Sequence, residues 1–510
     1  MPYPTESFYP GQATPFDKEY YNSLKPINPD LPTTYFQDIG SSMDARTANQ
    51  VKQASQHFNT GAKTVEVAGM TPGVFEAMPK DHLKELNRLT KVTGTSATMH
   101  GPMIDPTGIT QEGWNKINQE AAERQLWSAI ERSHDIDPKG NAVVTMHAST
   151  AQLPQATLKI KEEGEKEPKT RYQILVDSMG GKLLPLQEKE EPFKEVTEGK
   201  KPFNPEEEKE KINEEQWNDI MRRMTYNLDI ARERLEAGEE VKEISNLPKS
   251  EKFPELEKLK RGARSAQHGA VYLRQTYQQI QDLWDLAYKA ARSKEDKEKL
   301  KSFAQQVKPL AQELKKPNPD YDKVEKFADV LEDGIETMSE IKPEIFQPLD
   351  KFAADKSAET FSNLALKGYK KFKNTAPIIS IENHPAGQSL LTTGEDLKNV
   401  ITSARKQFIE KASKPKKQGG LGLSKSQAKK QAEKLIGATW DVGHINMLRR
   451  YGYEKKDILK ETDKIAPFVK HVHLSDNFGF EHTELPMGMG NVPHHEIMKR
   501  LGKEGFKGKK

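Results

Sequence analysis

Short apolar runs and amphipathic stretches alternate in two separate parts of the chain, and between them the apolar period becomes that of long helices. Residues 33–40 (TTYFQDIG), 63–69 (KTVEVAG), 95–102 (TSATMHGP) and 141–149 (NAVVTMHAS) read as strands. Residues 44–58, 79–92 and 113–134 between them carry apolar positions at helical spacing. After residue 375 the rhythm resumes, with strands expected at APIISIENHP, IGATWDVGH and FVKHVHLSD and a helix at GEDLKNVITSARKQFIEKA. Strands alternating with crossover helices predict a parallel sheet.

The middle of the chain breaks this pattern. RYQILVDSMGGKLLPLQ predicts a hairpin turning at Gly180–Gly181, and the charge run after it predicts a solvated face. In WNDIMRRMTYNLDIARERL, residues Trp217, Ile220, Met221, Met224, Leu228, Ala231 and Leu235 fall on one helical face. SKPKKQGGLGLSKSQ, further on, reads as a flexible basic linker. The expected architecture is α/β: a TIM-type parallel βα barrel whose last strand is missing from these residues, with a long, mainly helical insertion after the fourth strand. Its parts are a lead-in over 1–32, the first half of the barrel over 33–150, the insertion with its initial hairpin over 151–344, and the second half over 345–510.

Composition narrows the chemistry. The 510 residues include no cysteine and 13 histidines, so a metal would be held by His, Asp and Glu. A net charge of +3 is too mild to imply nucleic-acid binding by itself. No signal-peptide pattern and no apolar run long enough to span a bilayer is present, so a cytoplasmic protein with no membrane partner is expected.

Metal-ligand residue types recur at the strand ends. His100 and His147 end the third and fourth strands, Glu382 the fifth, Asp441 the sixth and His473 the seventh. In a parallel βα barrel these ends meet on one rim, where reactive groups lie. Imidazole and carboxylate together suit zinc or manganese, and carboxylates suit magnesium. His444 lies one turn beyond Asp441, and His482 and Glu484 share the loop EHTELPMGMGN. His471, two residues before His473, is expected one layer deeper.

The segments IENHPAGQS, TWDVGH, VHLSD and LPMGMGN resemble those of the xylose-isomerase-like TIM-barrel superfamily, and most closely the endonuclease IV type. The resemblance covers about 33–150 and 375–510 and leaves out the insertion. It implies a metal centre in which His100 and His147 hold one cation with Glu382, and Asp441 and His473 hold a second with the same Glu382. His444, His482 and Glu484 would hold a third. Several positions depart from the family pattern. The loop reads His482-Thr483-Glu484 where the family has Asp-x-His, HGPMIDP lacks the aromatic that enters DNA, HAST stands for HPG, and the Glu closing the last strand is absent from these residues.

Two functions follow from the resemblance. The first is a divalent-metal-dependent phosphodiesterase that cuts DNA at abasic sites through a metal-bound hydroxide, with Glu382 and His444 as catalytic residues and zinc as the first expected metal. The alternative is a sugar or sugar-phosphate isomerase or epimerase with one cation on Glu382, Asp441 and His473. The missing eighth strand predicts either a longer chain or a substitute strand, drawn from the Pro/Tyr-rich start or from the hairpin, with Glu484 or Asp476 standing in for the absent carboxylate.

Overall fold

In the computed structural model the described residues are 39–506, apart from 152, 154–158, 162–168, 171–172, 187–203, 246–255, 292, 315 and 317–320. Seven parallel strands form one sheet in chain order: β1 (Ser41–Ser42), β2 (Thr64–Ala68), β3 (Ser96–His100), β4 (Val143–His147), β5 (Ile378–Glu382), β6 (Ile436–Asp441) and β7 (Val469–His473). The expected strand at 33–40 lies mostly outside the described residues; the pairing to β2 is made by Ser41 and Ser42. The hairpin forms as Gln173–Asp177 against Leu183–Leu186, antiparallel and in a separate sheet, so it does not serve as an eighth parallel strand.

The sheet is curled. Glu66 of β2 meets His471 and His473 of β7 at 3.2 and 3.1 Å, although four strands separate them in one direction along the sheet order. Alternation along each strand then sorts side chains into two environments. Val65, Val67, Met99, Val144, Met146, Ile379, Ile381 and Trp440 face outward and are buried in one apolar core with the surrounding helices. The inward positions are polar. Thr98 donates to Glu66, Thr145 and Thr439 share a hydrogen bond of 3.0 Å, and Thr439 donates to Ser380 at 2.7 Å. Branched aliphatic side chains usually fill such an interior; here hydroxyls do, and they form a satisfied layer beneath the strand ends.

The helices have local causes. Helix Gly394–Ser413 starts on a capping box, with Thr393 accepting from the Asp396 N–H and Asp396 accepting from the Thr393 N–H. The segment expected to be a flexible linker is largely ordered. A short 3₁₀ turn spans Lys416–Gln418, and a second capping box, Ser424 with Gln427, starts helix Lys425–Leu435. Its glycines mark the turn between two helices, and the Ser-x-x-Gln capping signal after them was outweighed in the sequence by the Lys/Gly composition.

Residues 177–179 and 188–347 make up a second compact unit. It contains the helices Pro205–Ser245, Leu256–Ala290, Lys294–Glu313 and Tyr321–Ser339. Trp217, Met221, Met224, Leu228, Ala231 and Leu235 are buried in a core of its own, with Ile220 partly buried against it. The Trp217 indole N–H donates to the Met338 carbonyl at 2.9 Å. No helix among the described residues is long and apolar enough to cross a membrane.

Candidate metal centre

The five strand-end residues converge. Glu382, at the end of β5, is buried, and its two carboxylate oxygens face different neighbours. Oε2 lies 3.1 Å from His100 Nε2 and 3.3 Å from His147 Nε2, while Oε1 accepts from His473 Nδ1 at 2.5 Å. Asp441 caps the short helix Val442–Asn446, its Oδ1 accepting from the His444 N–H at 2.8 Å. That bond turns the other oxygen, Oδ2, toward His444 Nε2 at 3.7 Å and His473 Nδ1 at 3.8 Å. Asn383 ties the ends of β5 and β6 together, donating to the Asp441 carbonyl and accepting from the Asp441 N–H.

Backbone carbonyls fix two of the imidazoles. His100 Nδ1–H donates to the Gly101 carbonyl at 2.9 Å, and His444 Nδ1–H to the Asn383 carbonyl at 2.7 Å. Each then aims Nε2 inward, the arrangement that orients histidine ligands in metal sites. His444 Nε2 points at His482 Nε2, only 2.9 Å away, and His482 lies 3.4 Å from Glu484. Glu484 is the outlier: its side chain is 68% exposed and its backbone sits at φ 44°.

Burial and charge pull these groups in opposite directions. Burial raises Glu382, but the imidazoles of His473, His147 and His100 outweigh it and hold the carboxyl well below its ordinary range. Burial lowers His473, yet Glu382 and Glu66 on its two sides hold it well above the ordinary histidine value. His100 is likewise raised against burial by Glu382. Burial dominates at His147 and drives it well below the ordinary value, so this ring is neutral.

The donor set fits divalent cations. His147 Nδ1 is buried without a hydrogen-bond partner among the described residues. Two imidazole nitrogens facing each other at 2.9 Å, as at His444 and His482, need a proton or a cation between them. Donor atoms lie within 4.8 Å of one another in three sets: Glu66, His471 and His473; His100, Glu382 and His473; and Glu382, Asp441 and His444. Two imidazoles with carboxylate is a donor set for zinc or manganese.

Three residues depart from the sequence reading. Glu66, a carboxylate between two valines in β2, has the alternation of a solvent-facing position in the sequence but is buried and inward. His384 breaks the family-like segment in sequence, yet its ring centroid lies 5.0 Å from that of His147 and 6.4 Å from that of His444. Burial, helped by His444, lowers His384 to about 4, so it is a neutral imidazole beside the centre. Asp476 does not stand in for the missing carboxylate. It accepts from the backbone N–H groups of Asn477, Gly488 and Val492, and so organises the loop that carries His482 and Glu484.

No protein-family model matches the chain. A stretch of 75 residues is 29% identical to an uncharacterized protein of Methanocaldococcus jannaschii; the match spans 15% of this chain and 24% of that protein's length. Among solved structures, a D-tagatose 3-epimerase-like protein is similar over 92% of this chain and 88% of its own, at 11% identity and a TM-score of 0.39.

Proposed function

We propose that the chain is a divalent-cation-dependent phosphodiesterase of the endonuclease IV type, acting on DNA at abasic sites. The observation that supports this reading is the divided Glu382 carboxylate, with His100 and His147 on one oxygen and His473, beside Asp441 and His444, on the other. A carboxylate shared between two donor groups suits more than one cation. Bound there, zinc would polarise a phosphoryl oxygen and neutralise charge on the leaving oxygen.

The residues have separable duties. Gly101 and Asn383 hold His100 and His444 in the tautomer that presents Nε2. His444 and His482 lie together beyond Asp441, where a substrate phosphate would meet the centre. His384, neutral at pH 7, offers a hydrogen bond without adding charge. The chain has no cysteine to act as nucleophile, and this reading requires none.

A single-cation sugar or sugar-phosphate isomerase is the second reading. It is favoured by one observation: Glu66 and Glu382 flank His473, which gives a cation site a second carboxylate for proton transfer. Incubating the zinc-loaded chain with a duplex containing one abasic site separates the two. Incision at that site, lost in Glu382→Gln, supports the phosphodiesterase. No incision, together with exchange of solvent deuterium into a sugar phosphate, supports the isomerase.

A further inference from the structure

Glu66 and His471 lie one layer into the curled sheet, below the strand-end His473, where β2 and β7 approach each other. Glu66 Oε2 accepts from Thr98 at 3.0 Å and lies 3.2 Å from His471 Nε2, while Oε1 lies 3.1 Å from His473 Nε2. The two rings are nearly perpendicular, with centroids 5.1 Å apart. His473 therefore faces a carboxylate from each ring nitrogen, and the two contacts differ. Nδ1 is hydrogen-bonded to Glu382. Nε2 is buried and close to Glu66 but off the axis of a hydrogen bond, so it has no aligned partner.

The Glu66 oxygen and Nε2 of His473 thus lie 3.1 Å apart without the alignment of a hydrogen bond, and the other Glu66 oxygen lies 3.2 Å from His471 Nε2. A proton would be held along the bond axis; a cation tolerates the observed off-axis approach and also engages His471. We propose that Glu66, His471 and Nε2 of His473 form a separate cation-binding position beneath the strand-end centre, for zinc or a similar borderline cation. Its carboxylate comes from β2. The inference deepens the cation-dependent reading above and rests on it only in placing the other cations around Glu382.

The test is cation stoichiometry in the full-length chain. The protein is stripped with chelator, titrated with Zn²⁺ alone, freed of excess metal by gel filtration and analysed for bound zinc, beside Glu66→Gln, His471→Gln and Glu382→Ala. The expected result is that His471→Gln and Glu66→Gln each lose one equivalent and leave the affinity of the remaining equivalents unchanged, while Glu382→Ala keeps the equivalent that those two lose. If Glu66→Gln does not fold, His471→Gln decides alone. Unchanged stoichiometry in His471→Gln, or a parallel weakening of every equivalent, would overturn the proposal. A Glu382→Ala chain that loses no zinc would instead count against the multi-cation reading and leave this position standing.

Discussion

Glu382 and His444 carry different loads in the centre, and single substitutions separate them. Glu382 touches three imidazoles, whereas His444 lies at the rim with one ring nitrogen tied to the backbone and the other facing His482. His444→Ala is expected to lower activity on an abasic-site duplex by at least about a hundredfold, the order seen when groups at a reacting centre are removed. Its melting temperature should fall by only a few degrees, since about one hydrogen bond is lost. A large drop in melting temperature with unchanged activity per folded molecule would assign His444 a structural role. At this scale the sequence was informative wherever a ligand-type residue ended a strand, because strand ends are set by the apolar run before them. Glu66 escaped because position within a strand does not reveal which face turns inward; that depends on the sheet's curl. His384 escaped because two residues beyond a strand end the chain direction is no longer fixed by alternation.

Elements place these residues, and their polar interior is open to test. Thr439 bonds both Thr145 and Ser380 inside the curl. Thr439→Val keeps the shape and leaves the other two hydroxyls short of a partner, so a loss of about 1–3 kcal/mol in unfolding free energy is expected. Denaturant unfolding that matches the parent would mean that water replaces the lost hydroxyl. The capping box on helix Gly394–Ser413 gives a pH signature. Burial pushes the Asp396 carboxyl up to about 6, although the residue as a whole is only partly covered and its oxygens accept backbone N–H groups. A carboxyl raised on folding contributes stability that is full below its unfolded pKa, near the ordinary aspartate value of 3.8, and is lost as pH climbs through 6. The stability advantage of the parent over Asp396→Asn should therefore shrink between pH 4 and pH 7. An advantage that grows over that range would show that the helix N-terminus holds the carboxylate ionised. The strands and helices were mostly legible from apolar spacing, since that spacing is what burial selects. The helix beginning at Lys425 was not, because its cap is a two-residue interaction set inside a basic, glycine-rich stretch.

At the scale of the whole molecule, two compact units with separate apolar cores share one chain. Residues 204–345, expressed alone, should be helical and melt cooperatively, because Trp217, Phe327, Leu331 and Met338 bury within that unit. A chain with no helical circular dichroism would show that its core depends on the rest of the protein. The sequence shows a change from strand–helix rhythm to long amphipathic helices, while the boundaries at 177–179 and 188–347 depend on contacts that no local pattern encodes. On the proposed reading one carboxylate, Glu382, serves more than one cation. Elemental analysis of chain purified without chelator, beside Glu382→Ala, measures this directly. The account predicts at least two equivalents of divalent metal in the parent and the loss of more than one in the variant; a parent with no stoichiometric metal, or a variant that loses one equivalent or none, would contradict it.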